Sequence, residues 1–539
     1  MAFADFSHWQ PLISTRQFVG QTRRAFNLRH EKLCDILIVS RVITALRVDG
    51  SHKMSQQLNE FADELTQILP SEALLLSTEA RRPYECDGLT GYRELPAMVA
   101  LPQTFEQVRE ILRLCQRYQV PLVARGAGTG LSGGATPHSE GVLLSLARFS
   151  RIIEIDPQAR TARVQPGVRN LAISEAVAEH GLYYAPDPSS QIACTIGGNV
   201  AENAGGVHCL KYGLTVHNVI AAQVVLMGGD VINVGGTALD TPGYDLLATM
   251  IGSEGMLGVV TEVTVRLLPL PDAAKVLLAA FDTVESAAAA VAQVIAKGII
   301  PAGLEMMDNP AIVAAEDFVQ AGYPKDAAAI LLCELDGTVA EVEADIQMVS
   351  DLLRESGART VDVARDEAER VRFWSGRKNA FPAIGRISPD YYCIDGTIPR
   401  KAVAKVLAGI ERLSAQSGLR VANVFHAGDG NLHPLILYDA SKPGEFERTE
   451  ALGGQILDLC VQVGGTITGE HGVGLEKINQ MCVQFTDQEL DQFHALKAVF
   501  DPDGLLNPGK AVPTLARCAE FNAMHVHGGE LAHPQIPRF

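Results

Sequence analysis

The sequence predicts an α+β protein with more than one domain, on three observations. At 539 residues the chain is longer than one hydrophobic core organises. Residues 96–270 mix short strand patterns with glycine-rich loops, whereas residues 275–363 run in the order β-α-β-β-α-β, the ferredoxin-like arrangement. A hydrophobic content of 47% against 20% charged residues supports a large interior and excludes a disordered chain.

Residues 1–53 carry eight Lys or Arg against four Asp or Glu, although the whole chain has a formal charge of -18. Met54 then opens a helical pattern of Leu58, Phe61, Ala62, Leu65, Ile68 and Leu69. Residues 1–53 read as an upstream extension before a start at Met54, with a basic targeting arm as the competing reading. Thr104 and Gln107 form a capping box for a helix bearing Val108, Ile111, Leu112 and Cys115. Strands are expected at 120–125, 142–147, 151–155 and 162–165, then a helix at 169–180. Pro269 and Pro271 mark a boundary. Beyond it come strand 275–281, helix 284–297 stopped by Gly298, strands 302–307 and 329–335, helix 339–356 stopped by Gly357, and strand 359–363. The expected domains are 54–271, 272–440, a C-terminal helical segment 441–513, and a tail from 514 to 539.

The acidic balance argues against nucleic acid and anionic lipid as direct partners, because the long-range field opposes their association. No apolar run approaches the ~20 residues that cross a bilayer. Ten cysteines, at 34, 86, 115, 194, 209, 333, 393, 460, 482 and 518, include no C-x-x-C. Reduced core thiols in the cytosol are expected, and no iron-sulfur cluster within this chain.

Three glycine loops mark the first half. Residues 125–134, RGAGTGLSGG, contain G-x-G-x-x-G at Gly128, Gly130 and Gly133, with Glu154 beyond it. A nicotinamide-binding βαβ unit requires that motif to open a helix, yet Gly134, Pro137 and Gly141 interrupt the chain. What remains is a loop whose backbone N–H groups can wrap an anion. Similar loops at 186–206 and 252–265 join it. Each alone is an ordinary turn of a glycine-rich domain; together they favour a large phosphate-bearing cofactor held by backbone.

In NVFHAGDGNLHPLI, residues 423–436, Asp429-Gly430 signals a two-residue hairpin turn that sets His426 directly opposite His433. Opposed Cβ atoms ~4.5–5.5 Å apart let two imidazoles reach one metal. A third ligand is needed, and Glu470, beside His471, is the candidate. A bare histidine pair is more often a surface feature.

The runs 125–134, Pro186 to Ser190, Gly197-Gly198-Asn199 and 252–258 resemble the FAD domain of the vanillyl-alcohol oxidase superfamily, the PCMH-type fold. FHAGDGNLHP, TGEHGVG (468–474) and DPDGLLNPGK (501–510) resemble the FAD-linked oxidase C-terminal domain. Over residues 60–513 the chain is similar to the D-2-hydroxy-acid dehydrogenases. Residues 184–218 and GRKNAFPAIGRISPDYY are especially similar to bacterial glycolate oxidase flavoprotein subunits. The fold implied is a PCMH-type FAD-binding domain followed by a ferredoxin-like substrate or cap domain.

The resemblance implies flavin contacts at Arg125, Gly126, Ala127, Gly128, Thr129, Gly130, Ser132, Gly133, Pro186, Asp187, Ser190, Thr195, Gly197, Gly198, Asn199, Asn203, Glu254, Gly258, Val259 and Asn507, with Lys510 also returning to the ring side. Thr129 stands where covalent members carry a flavin-bonding histidine, so dissociable FAD is expected. The resemblance assigns a divalent metal, Zn or Mn, to His426, His433 and Glu470, and proton acceptance to His471. Arg377 is expected to clamp the substrate carboxylate bidentately. Relatives that take hydroxydiacids carry a cation where this chain has Tyr391, Tyr392 and Cys393, so a small monocarboxylate is implied, glycolate first and D-lactate next. The implied partners are an iron-sulfur subunit and a second flavin-domain-like subunit, in a cytosolic assembly peripheral to the inner membrane. The competing class is a non-catalytic assembly subunit that holds FAD only for structure.

Overall fold

The computed structural model describes residues 56–238 and 242–514. Residues 1–53 and the tail histidines His525, His527 and His533 lie outside them. The chain divides into two compact units, Met1–Glu64 and Leu65–Phe539. The first is described over residues 56–64, which are helical. The rest concerns the second.

Strands β1 (Leu74–Leu75), β2 (Met98–Ala100), β3 (Leu122–Arg125) and β4 (Val142–Ser145) form a sheet in the order β1-β2-β4-β3, with β4 parallel to both neighbours. The parallel pairing requires a crossover, and helix Phe105–Tyr118 supplies it. Its capping box is present as expected, Thr104 Oγ1 accepting from Gln107 N. A second sheet, all antiparallel, follows the order β5-β6-β10-β8-β9, from β5 (Ile152–Asp156), β6 (Thr161–Val164), β8 (Val219–Val225), β9 (Val231–Gly235) and β10 (Val259–Arg266); the short β7 (Leu182–Tyr183) pairs instead with β11 (Leu268–Pro269). The expected helix 169–180 is α-helical over Asn170–Val177 and ends in a 3₁₀ turn at Ala178–His180.

The third sheet begins β15-β12-β14-β13, from β12 (Ala273–Phe281), β13 (Gly303–Asp308), β14 (Ala329–Gly337) and β15 (Ala358–Val363), the ferredoxin-like order. It continues through β16 (Asp390–Cys393), β17 (Gly396–Thr397), β18 (Val421–His426), β19 (Asn431–Leu432) and β20 (Pro434–Tyr438), with β18 pairing β13. Both faces are buried. Leu277, Ala279 and Phe281 enter one core with Val291, Val349 and Val406, while Val276, Leu278 and Ala280 enter another with Ile312, Ala315 and Phe373. The second face is covered partly by helix Asn309–Val319, which the β-α-β-β-α-β pattern did not contain. Asp308 caps it and Pro310 sits in its first turn. Burial on both sides explains why β14 reads as an unbroken apolar run rather than an alternating one.

Seven cysteines are free thiols among the described residues, six of them buried. Cys482, only partly buried, is disulfide-bonded and stands outside the expectation of reduced core thiols. No helix among the described residues is long and apolar enough to cross a membrane.

Candidate active site

The hairpin between β18 and β19 differs from the expected turn. His426 pairs with Asn431 and Asn423 with Pro434, so the turn comprises the four residues 427–430, closed by Gly430 N donating to His426 O at 3.1 Å. Tertiary hydrogen bonds hold this wider loop: Gly428 N donates to Leu304 O at 3.0 Å, and Arg400 Nη1 to Gly428 O at 3.1 Å. A local turn preference carries no information about such partners. His426 and His433 are therefore diagonal rather than opposed. They still share a face, with ring centroids 5.1 Å apart.

Both rings reach Glu470. Its Oε1 lies 3.4 Å from His426 Nε2 and 3.3 Å from His433 Nε2. One candidate ligand atom from each of the three residues falls within 4.8 Å of the others. Glu305 on β13 lies 2.7 Å from His426 Nδ1 and occupies that nitrogen, which leaves Nε2 as the ring nitrogen that faces Glu470. Neither ring nitrogen of buried His433 has a hydrogen-bond partner among the described residues. Orphaned buried donors and acceptors are uncommon in folded proteins, and nitrogen, nitrogen and carboxylate ligands at this spacing fit a divalent ion. Asp395, His433 and His471 form a second such group that shares His433.

Asp395, on the residue before β17, organises the loop that carries Glu470. Fully buried, it accepts from Thr468 Oγ1 at 2.7 Å and from the backbone N–H groups of Gly469, Glu470 and His471 at 2.9–3.3 Å. Burial alone would raise its carboxyl, but His471, Lys477 and His433 hold it well below the ordinary range. Burial likewise works against Glu470, and its histidine neighbours bring it down to about 2. His471 stacks on His433 at 4.9 Å with 17° between the rings. Burial pulls His471 down to about 4, with Asp395 opposing, so the ring is a neutral base near pH 7.

Arg377 departs from the clamp expected of it. It is 2% exposed and does not line the cleft. Its Nε donates to Glu305 Oε2 at 2.8 Å and its Nη2 lies 2.7 Å from the same oxygen. Glu305, itself 1% exposed, needs a counter-charge to remain an anion behind His426. Arg377 is thus placed to position Glu305.

His433, Glu470 and His471 line a cleft of about 1500 Å³ including its open mouth. Fourteen of the twenty residues expected to contact flavin line it: Arg125, Gly126, Ala127, Gly128, Thr129, Gly130, Ser190, Thr195, Gly197, Gly198, Asn199, Glu254, Gly258 and Val259. Close approach of a ligand to backbone is built in. Gly128 has φ +72°, and a Cβ there would lie 2.1 Å from the Arg125 guanidinium. Such walls fit an extended dinucleotide.

Ser132, Gly133, Pro186, Asp187, Asn203 and Asn507 stand behind the wall. Asp187 accepts from His208 Nδ1 at 2.7 Å, Asn203 caps helix Ile196–Glu202 with left-handed backbone, and Asn170 Nδ2 donates to Pro186 O at 3.0 Å. That helix also shows that the second glycine stretch is not all loop. Asn507 Nδ2 donates to Gly134 O at 3.0 Å and Glu254 O at 2.7 Å, tying the first glycine stretch to the third. Lys510 Nζ joins it at Gly134 O. Glu305, Asp395 and Glu202 were not singled out from the sequence. An acidic residue inside an apolar strand, as in GLEMMD, was the available signal for the first.

The fold and the glycine-walled cleft define a flavoprotein oxidoreductase. The FAD binding domain family matches residues 96–235, and the family described as FAD linked oxidases, C-terminal domain, matches residues 270–511. Glycolate oxidase subunit GlcD of Escherichia coli (strain K12) is 66% identical over 475 residues, covering 88% of this chain and 95% of that protein. Glycolate oxidase subunit GlcD of Bacillus subtilis (strain 168) is 40% identical, covering 84% and 97%. A D-lactate dehydrogenase of Archaeoglobus fulgidus is 34% identical, covering 84% and 99%. Among solved structures, p-cresol methylhydroxylase with substrate bound superposes with a TM-score of 0.72 at 18% identity, covering 86% of this chain and 98% of that one. That likeness establishes a vanillyl-alcohol oxidase-like fold. The chain belongs to the FAD-linked oxidase family that includes the GlcD subunits.

Proposed function

We propose that the protein oxidises glycolate to glyoxylate, with non-covalent FAD in the cleft and a divalent metal, Zn or Mn, held by His426, His433 and Glu470. Bound FAD supplies at N5 the acceptor for the C2 hydride, and the metal supplies Lewis acidity toward the substrate's carboxylate and hydroxyl. The reading is carried by one observation, the three-ligand set of which His433 and Glu470 line the cleft, with neutral His471 stacked beside it.

His471 takes the hydroxyl proton, which its low basicity permits only because the hydroxyl is acidified when bound. Asp395 fixes the 469–471 backbone, so base and ligand keep one geometry. Glu305 holds the His426 ring, and Arg377 holds Glu305. Phe381 also lines the cleft, its ring 6.4 Å from His433, and favours a substrate without bulk at C3. Glycolate is therefore placed ahead of D-lactate. The relatives' designation as subunits supports electron transfer to a separate protein. The acceptor proposed is an iron-sulfur subunit accompanied by a second flavin-domain-like subunit, in an assembly peripheral to the inner membrane.

Anaerobic addition of glycolate, D-lactate or D-2-hydroxyglutarate to the metal-loaded holoprotein tests this. Bleaching of flavin absorbance is expected fastest with glycolate. Persistent colour with all three defeats the catalytic reading and leaves an assembly role, and preference for the diacid defeats the substrate assignment.

A further inference from the structure

Glu202 ends helix Ile196–Glu202, lines the flavin cleft, and has no part in the chemistry above. Its carboxyl is wedged between the backbones of two loops. A Cβ on Gly134 would lie 2.7 Å from Glu202 Oε1, and one on Gly472 would lie 2.0 Å from Oε2. Gly472, one residue after His471, also has φ +82°, so both backbone and space exclude a side chain there. Glu202 thus sits at the histidine end of the cleft, where a flavin ring must lie to meet substrate.

A second carboxyl shares the pocket. Glu254 lies 3.1 Å from the same Gly472 Cβ position and 3.6 Å from that of Gly134. The two are treated differently. Glu254 accepts from Val473 N and Gly474 N, each at 2.7 Å, an arrangement suited to an anion. Glu202 Oε2 is buried with no hydrogen-bond partner among the described residues. Burial raises both groups; the two N–H donors draw Glu254 back, whereas Glu254 pushes Glu202 further, well above the ordinary range. Two adjacent buried carboxyls with unequal hydrogen bonding keep one proton, on the group without donors. A neutral carboxyl has an O–H to donate.

We propose that Glu202 is a neutral carboxylic acid that donates a hydrogen bond into the cleft, to an electron-rich atom of the flavin ring. Reduced flavin carries more negative charge on its ring than oxidised flavin and is the better acceptor. Glu202 therefore favours the reduced state. The inference rests on FAD occupying this cleft and not on the identity of the substrate.

The test is the flavin midpoint potential of the holoprotein, titrated with dithionite against a reference dye, for the native protein, Glu202→Gln and Glu202→Met. Gln retains a neutral N–H donor, so its potential is expected to match the native one. Met removes the donor, and the preference for reduced over oxidised flavin is expected to fall about tenfold, or about 30 mV for a two-electron couple. A raised potential in Glu202→Gln overturns the proposal by showing that the native group is charged. An unchanged potential in Glu202→Met overturns it by showing a merely structural role. If Glu202→Met fails to retain FAD, Glu202→Gln decides alone, a match supporting the proposal. Dithionite bypasses the substrate, so failure to oxidise glycolate leaves the measurement readable.

Discussion

Glu305→Gln separates charge balance from ligand orientation. Glu305 Oε2 lies 2.7 Å from Arg377 Nη2, both side chains almost fully buried, and Oε1 lies 2.7 Å from His426 Nδ1. At that separation and an effective dielectric near 20, the gross attraction between Glu305 and Arg377 is about 6 kcal/mol. Desolvation offsets part of it, and leaving one member of a buried pair uncompensated costs about 3–5 kcal/mol. Gln preserves shape but not charge. Its unfolding free energy in urea is therefore expected to fall by that amount. Metal affinity should separately weaken about 10- to 100-fold, because His426 loses the carboxylate that fixes its ring. Adding Arg377→Met removes the stranded cation, so the double variant should recover most of the stability while metal binding stays weak. A single variant as stable as the native protein, or a double variant no more stable than the single, refutes the buried-pair account.

Chelation of the metal should abolish glycolate turnover while leaving flavin absorbance in place, with activity restored by Zn or Mn; His433→Ala should match the chelated protein, and retained turnover in either case rules out the metal. Asp395→Ala removes the side-chain acceptor that residues 468–471 share; kcat should fall about 10- to 100-fold and amide exchange in that loop should quicken, and unchanged exchange counts against its organising role. Burial pushes Glu476 up to about 7, with Lys477 opposing. Between pH 4.5 and 7 the unfolded chain has released a proton that the folded one keeps, so stability present below pH 4.5 declines toward pH 7 by about 3 kcal/mol. Glu476→Gln should lose that decline relative to the native protein, and equal pH slopes for the two would contradict it.

Periodicity and capping made most of the fold legible, since both are local. The helix starting after Thr338 and the strand Ala358–Val363 follow directly from such signals. Helix Asn309–Val319 carried an equally local start, Asp308 before Asn309-Pro310, and was missed because the β-α-β-β-α-β order seemed complete without it. At the site, residue types around a motif were legible and charge bookkeeping was not. Arg377 stands in a motif that suggests substrate binding. Its partner Glu305 is 72 positions away, and only the pairing of β13 with β18 brings Glu305 beside His426.

The histidine pair shows why a wrong local rule can still leave the right residues together. The Asp429-Gly430 signal sets the strand pairing two residues away from the one observed. Strand side chains alternate with period 2, so an even slip changes which residues face each other but not which face of the sheet they occupy. An odd slip would have sent His433 to the opposite face, away from Glu470. Lengthening the loop by one residue after Gly428 therefore threatens the ligand set more than lengthening it by two, and metal affinity of the two insertion variants distinguishes these cases. Equal loss in both would mean that the loop contacts of Gly428, rather than strand alternation, hold the histidines in place.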